Sequence, residues 1–258
     1  MADQDPFITF EGKSVIITGA GMGIGRAIAL ELARLGARVT IGDLAVERVR
    51  GVASEIEETH GPGRALAAEC DVRDYAAVKR MVDGAIETFG GVDVLINNAG
   101  TGKSGPFVNT KPEDWNYDIG ICLYGTMNGV HAVLPHMIER GGGRVVNCCS
   151  DAGRVGEANL AAYSAAKAGI VGFTKAVARE VGRNHIYLNC VCFGMTLTET
   201  MQRFVPAEQQ ERMLRAYPLR RLGTMQDAAN AVLLLASDRA SFVTGQVLSS
   251  SGGFSMVD

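Results

Sequence analysis

The sequence predicts an α/β fold: a single domain built on a doubly wound, parallel, seven-stranded sheet with helices on both faces. Three observations carry this. Apolar runs of strand length alternate with longer stretches of helical period. Several of those runs, such as Val15-Ile16-Ile17 and Val94-Leu95-Ile96, are apolar on consecutive residues, as expected of strands covered on both faces. No Pro/Ser-rich linker, internal repeat or low-complexity tract divides the chain.

Taken in order, the first strand is Ser14–Thr18, and a helix opens straight after a glycine-rich turn, over Gly23–Leu35. Strand Arg38–Gly42 and helix Val46–Thr59 follow, then strand Arg64–Glu69 and helix Asp74–Phe89. The apolar run Val92–Asn97 is a fourth strand, and Pro112–Glu139 reads as one long helix. Arg144–Cys149 and Ile186–Val191 are strands on either side of a helix at Tyr163–Val181. The last pair is helix Met225–Ala236 and strand Gln246–Ser250. One stretch, 194–223, is irregular. Its segment Glu199–Ala216 can form a helix with Met201, Phe204, Val205, Met213 and Leu214 on an apolar face. Because it follows the carboxyl end of a strand, it reads either as a lid over a site or as a surface helix packed on the core.

The chain has 258 residues, 47% of them hydrophobic, enough for a sizeable core. The formal charge of −3 is spread without a basic block, which argues against a nucleic-acid surface or a polybasic membrane patch and points to small-molecule partners. The first residues include acidic side chains and lack the apolar core of an export signal, and no later stretch has the length of a membrane span, so a cytoplasmic location is expected. Six cysteines are too sparse for a disulfide scaffold, and Cys148, Cys149, Cys190 and Cys192 sit in strand-like runs as small buried hydrophobes. Neither they nor His60, His131, His136 and His185 have the spacing of a metal site.

The first strand runs into Thr18-Gly19-Ala20-Gly21-Met22-Gly23-Ile24-Gly25 and then into a helix. Glycines there permit a tight turn, let the backbone approach a pyrophosphate, and let the helix pack closely on the strand, while the helix N-terminus offers free N–H groups to phosphates. This is the start of a Rossmann-type dinucleotide site. Asp43 lies 18 residues beyond Gly25, at the end of the second strand, where a carboxylate accepts hydrogen bonds from ribose hydroxyls and repels a 2′-phosphate. No Arg or Lys lies within Gly19–Gly25 or directly after Asp43, so NAD is expected rather than NADP. Asp43 also suits a helix N-cap, and the two roles are compatible.

Tyr163-Ser164-Ala165-Ala166-Lys167 places Tyr163 and Lys167 on one helix face. An ammonium beside a phenol favours the phenolate, so Tyr163 is expected below the ordinary tyrosine value and able to exchange protons near neutral pH. Tyr-x-x-x-Lys alone is common by chance. Here Ser150 precedes it by 13 residues, just past a strand.

With these pieces in order the chain resembles the short-chain dehydrogenase/reductase family along nearly its whole length. The matching residues are the Thr18-to-Gly25 turn, Asp43, Asp71-Val72, Asn97-Asn98-Ala99-Gly100, Ser150, Tyr163, Lys167 and Gly194–Thr198. The resemblance implies that Tyr163 is the acid/base on the substrate oxygen, that Ser150 hydrogen-bonds that oxygen, and that Lys167 holds the nicotinamide ribose. It also implies cofactor contacts from Gly19, Met22, Gly23, Ile24, Gly25, Asp71, Val72, Asn97, Gly100, Thr196 and Thr198, with Asp71 and Val72 at the adenine, Thr196 and Thr198 at the carboxamide, and Asn98 bracing the sheet. A homotetramer is implied too, through the helices at Pro112–Glu139 and Tyr163–Val181.

Three positions depart from the family pattern. Cys122 stands where an asparagine usually anchors a water near Lys167, Phe193 replaces a proline before Gly194, and Ser251 replaces an aspartate. Cysteine is a poor hydrogen-bonding substitute, so the proton either takes another route or moves slowly. The resulting expectation is an NAD-dependent dehydrogenase of a secondary alcohol, alicyclic or linked to acyl-CoA. Arg203, Arg212, Arg215, Arg220 and Arg221 would meet an anionic handle or form a solvated face. The alternatives are a 3-oxoacyl reductase of lipid metabolism and a weakly catalytic NAD-binding regulatory or scaffolding subunit.

Overall fold

The computed structural model describes residues 7–257, with the backbone alone described at 200, 202, 204, 207 and 209. Seven parallel strands form one sheet in the order β3-β2-β1-β4-β5-β6-β7. They are β1 (Ser14–Thr18), β2 (Arg38–Asp43), β3 (Ala65–Glu69), β4 (Val94–Asn97), β5 (Gly143–Ser150), β6 (Ile186–Phe193) and β7 (Val247–Ser250). From β1 the chain winds outward to β3, returns to β4, and winds the other way. Such a reversal leaves a crevice outside the carboxyl ends of β1 and β4, where a ligand can sit between diverging loops.

The helices are α1 (Gly23–Arg34), α2 (Val46–His60), α3 (Tyr75–Phe89), α4 (Pro112–Ile119), α5 (Gly125–Arg140), α6 (Ala152–Val155), α7 (Ala161–Val181), α8 (Glu199–Phe204), α9 (Ala207–Met213) and α10 (Met225–Ala236). Strand alternation divides the core between the two sheet faces. Val15, Ile17, Val39, Ile41 and Val94 face α1, α2 and α10, whereas Ile16, Leu95, Val145 and Leu188 face α3, α5 and α7. Burying each such side chain is worth about 1.5–3 kcal/mol, so the sheet is a rigid platform for whatever its upper loops carry.

The expected elements form, with three corrections. The long helix over Pro112–Glu139 is interrupted by a π-helical turn, Gly120–Tyr124. The helix that resumes after it runs close to its neighbours: a Cβ on Gly125 would lie 2.6 Å from Val72 Cγ2, and one on Gly129 would lie 2.3 Å from Asn97 Oδ1. The widened turn carries Cys122. β5 and β6 each run past the expected end, so Ser150 closes β5 and pairs with Phe193. Segment 199–216 is two short helices because Pro206 disfavours helical backbone at Val205, which is extended at φ −110°, ψ 110°. Met201, Tyr217 and Leu222 make a small core beneath them, with Val205, Met213 and Leu214 packed against it. The Phe204 side chain, expected on that face, lies outside the described residues.

All six cysteines are free and buried. No helix among the described residues is long and apolar enough to cross a membrane.

Candidate active site

A cavity of about 940 Å3 opens at the crevice, and its walls bring together residues from Gly19 to Phe254. At one end the glycine turn leaves β1. Gly19 has φ +62°, and a Cβ there would lie 2.7 Å from Ala99 Cα. A Cβ on Gly25 would lie 2.2 Å from the Gly19 carbonyl oxygen. Only glycine fits either place, and the result is a bare backbone cradle at the N-terminus of α1, suited to phosphates. Asn98 braces it, donating from Nδ2 to the carbonyls of Thr18 (3.1 Å) and Gly19 (2.9 Å).

Asp43 sits at the rim of this cradle. Its two carboxylate oxygens accept the Gly21 N–H at 3.1 Å and the Ala45 N–H at 3.0 Å, which fixes the side chain while leaving lone pairs for a ligand. The N-cap of α2 is Ala45, so Asp43 braces the preceding turn instead of capping the helix. Arg48, one turn into α2, also reaches the cavity wall, where its Nη1 donates to Met22 Sδ at 2.9 Å. Sequence reasoning looked for cations only within the turn and next to Asp43, so it missed Arg48. Asp71 and Val72 line the same end. A hydrogen bond from Arg73, with Nη2 at 2.6 Å, holds the Asp71 carboxyl below the usual carboxylate range.

Met22, Gly23, Ile24, Gly100, Thr196 and Thr198 reach the cavity as expected. Asn97 does not. Its side chain is 3% exposed and donates to Asn147 Oδ1 at 2.9 Å between β4 and β5, so of the pair Asn97-Asn98 it is Asn98 that reaches the cavity wall. Successive residues at a strand end point in opposite directions. Thr198 also caps α8 by accepting the Met201 N–H at 3.2 Å.

At the centre, Ser150 ends β5 while Tyr163 and Lys167 extend from the first turns of α7. Lys167 is 3% exposed, its Nζ lies 5.6 Å from the Tyr163 ring centroid, and it donates to the Cys148 carbonyl at 2.8 Å. Burial pushes the Tyr163 phenol up, more than Lys167 and Ser150 pull it down. The expected lowering is therefore reversed: one ammonium does not outweigh removal of the phenolate from water. Burial also opposes the Lys167 charge, but Tyr163 and the Cys122, Cys149 and Cys148 groups more than offset it, so the ammonium is kept. Cys122 gives its thiol hydrogen to the Thr101 carbonyl at 3.2 Å, leaving Lys167 with the Cys148 carbonyl as its partner.

The remaining wall comes from Phe193–Met195, the loop between α6 and α7, the segment after β6 and the C-terminal tail. It includes Glu157, Leu160, Met201, Val205, Tyr217 and Phe254. Among the described residues, none of the five arginines at 203–221 lines the cavity. Arg212 pairs with Glu208, and Arg221 with Asp227, which favours the reading of a solvated face.

The chain is similar to known proteins along nearly its whole length. The family model described as enoyl-(acyl carrier protein) reductase matches residues 19–255. The chain is 40% identical over 246 residues to (2S)-((R)-hydroxy(phenyl)methyl)succinyl-CoA dehydrogenase subunit BbsD of Thauera aromatica, covering 95% of this chain and 98% of that one. It is 38% identical over 250 residues to the 3-oxoacyl-(acyl-carrier-protein) reductase FabG of Escherichia coli, covering 97% and 100%. Among solved structures, a 7α-hydroxysteroid dehydrogenase in complex with NADH and 7-oxo glycochenodeoxycholic acid matches with a TM-score of 0.91 at 34% identity, covering 98% of each chain.

Proposed function

The chain belongs to the short-chain dehydrogenase/reductase family of oxidoreductases, and from that premise we propose that it interconverts a secondary alcohol and a ketone using NAD. The observation that carries this reading is the meeting of Ser150, Tyr163 and Lys167 in one cavity with the glycine cradle and Asp43. The cradle fits a dinucleotide because Gly19 and Gly25, where an added Cβ would strike the Ala99 backbone and the Gly19 carbonyl, keep the turn tight and its backbone bare toward the cavity. When bound, the nicotinamide supplies the hydride acceptor or donor. Gly19, Met22, Gly23, Ile24 and Gly25 would hold its phosphates, Asp43 the adenosine ribose hydroxyls, Asp71 and Val72 the adenine, and Gly100, Thr196 and Thr198 the nicotinamide half.

Ser150 and the Tyr163 hydroxyl hold the substrate oxygen between them. In oxidation Tyr163 takes the hydroxyl proton as the carbinol hydrogen leaves with its electron pair; in reduction Tyr163 returns a proton to the same oxygen. Lys167 stays protonated, steadies the phenolate that takes the proton in oxidation and that is left when Tyr163 gives its proton in reduction, and would hold the nicotinamide ribose. Because Cys122 donates to the Thr101 carbonyl, it does not take an asparagine's place beside Lys167, and the proton's onward path from Tyr163 begins at Lys167 itself.

A second reading, reduction of a 3-oxoacyl thioester with NADPH, is favoured by the relatives named as such reductases and by Arg48 beside Asp43. The 194–223 segment acts as the substrate lid on the single domain, and the protein assembles as a homotetramer, testable by its mass in solution. The deciding experiment is a panel of secondary alcohols and hydroxyacyl-CoAs with NAD, repeated with NADP, following NADH or NADPH absorbance. Reduction of NAD by at least one alcohol, abolished in Tyr163→Phe, is expected. No hydride transfer across the panel and the matching ketones, despite NAD binding, would leave only the weakly catalytic binding subunit.

A further inference from the structure

Tyr217 is an unused hydrogen-bond donor in the substrate half of the cavity. It follows the lid helices, is 5% exposed, and lines the cavity wall. Its hydroxyl oxygen accepts the Met195 N–H at 2.8 Å, and its ring stacks on Phe254 with centroids 5.2 Å apart at 23°. Gly194 lets the ring come close, since a Cβ there would lie 3.2 Å from Tyr217 Cε1. The oxygen and ring are thus both fixed, which fixes the directions open to the O–H proton. Among the described residues that proton has no acceptor. Burial, Glu157 and Asp151 push the phenol up, so it stays protonated.

The charges nearby limit what it can receive. Asp151 and Glu157 belong to the same wall. Among the described residues the cations lining the cavity are Lys167 at the reacting centre and Arg48 and Arg73 at the Asp43 and Asp71 end. A carboxylate placed against Tyr217 would face two like charges with no compensating cation, whereas an uncharged carbonyl oxygen would satisfy the donor without that penalty.

We infer that Tyr217 is a specificity-determining residue that donates a hydrogen bond to a second, uncharged oxygen of the substrate, so that the preferred ketones carry an ester, thioester or further ketone group. The inference rests on the hydride-transfer reading and names the substrate class of that same site. It accommodates a thioester and disfavours a free acid.

The test uses ethyl 3-oxohexanoate and 4-nonanone, the same chain with and without the ester, in reduction by NADH. Tyr217→Phe keeps the ring and its stack. It is expected to lower kcat/KM for the keto ester about tenfold, chiefly through KM, and to change 4-nonanone by less than about twofold. The wild-type enzyme is expected to reduce the anion 3-oxohexanoate at least about tenfold less efficiently than the ester. Equal losses on both ketones, or none on either, would overturn the donor role, and NADH affinity measured by fluorescence separates a disturbed Met195 loop from a lost substrate contact. A free acid handled as well as the ester would overturn the preference for an uncharged group. Failure of the wild-type enzyme on both ketones is a different result: it removes the hydride-transfer reading and this inference with it.

Discussion

The two ends of the cavity are built in different ways. The Gly19–Gly25 and Asp43 end is backbone: two adjacent strands, one helix start, and glycines whose replacement would collide with main-chain atoms. The Tyr217 end is side chains gathered from β6, α6, the lid segment and the tail, over a small core of its own. The first has almost no freedom to change; the second can alter its lining without disturbing the sheet. A scaffold that holds a common cofactor while its substrate changes needs this division of labour.

The predictions probe that contrast, and the largest effect falls at the junction between the two ends. Tyr163→Phe should lower kcat by about 10²–10⁴-fold, with an unchanged circular dichroism spectrum. A variant that turns over normally would detach the chemistry from both ends. At the backbone end, Gly25→Ala must push a methyl group into the Gly19 carbonyl, with a loss of about 1–3 kcal/mol in stability and of NADH binding, read by thermal unfolding and fluorescence. Retained binding would show that the cradle is softer than its contacts indicate.

Asp43→Ala should raise KM for NAD about tenfold and improve turnover with NADP; Arg48→Ala in that background should remove the gain. An unchanged cofactor ratio would take Asp43 out of cofactor selection.

A pH profile follows from the direction at Tyr163. Because burial raises the phenol, it remains an acid through neutrality, so reduction is sustained there while alcohol oxidation climbs as pH rises toward ionisation of the phenol. An oxidation rate that is flat from acid through alkaline pH would remove Tyr163 as the base. The smallest effect belongs to the side-chain end: Pro206→Ala frees Val205 to become helical, with an expected change of a few-fold in substrate KM, none in NADH affinity, and a stability change of about 1 kcal/mol or less.

The same contrast explains what could be read in the chain itself. The cradle, Asp43 and the Tyr163–Lys167 pair are encoded by short local spacings, and the strands by unbroken apolar runs, so each was visible without knowing the fold. Arg48, Glu157, Tyr217 and Phe254 carry no such pattern. Arg48 reaches the cavity from α2 and Glu157 from the loop before α7, while Tyr217 and Phe254 meet there only when the 194–223 segment and the tail pack on each other. Asn97 and Asn98 show a finer limit: adjacent, chemically identical residues are told apart only by which way the strand end faces. The reversed shift at Tyr163 has a similar origin, since burial, its largest cause, is a product of the folded chain and not of the Tyr163–Lys167 spacing. Pro206 is different: its effect on Val205 was legible in the sequence, and the apolar pattern alone was too coarse to register it.

One last consequence comes from how segment 194–223 is anchored. Thr196 bridges to Gly223, Leu197 N–H donates to the Gly223 carbonyl at 2.8 Å, and Gly223 N–H donates to the Met195 carbonyl at 3.0 Å. Its two feet are therefore fastened to each other and to the end of β6, so the segment is a closed cassette. Exchanging residues 199–216, which lie between these fastenings, for another sequence of similar span is expected to leave the register of β6 and the placement of Ser150 unchanged.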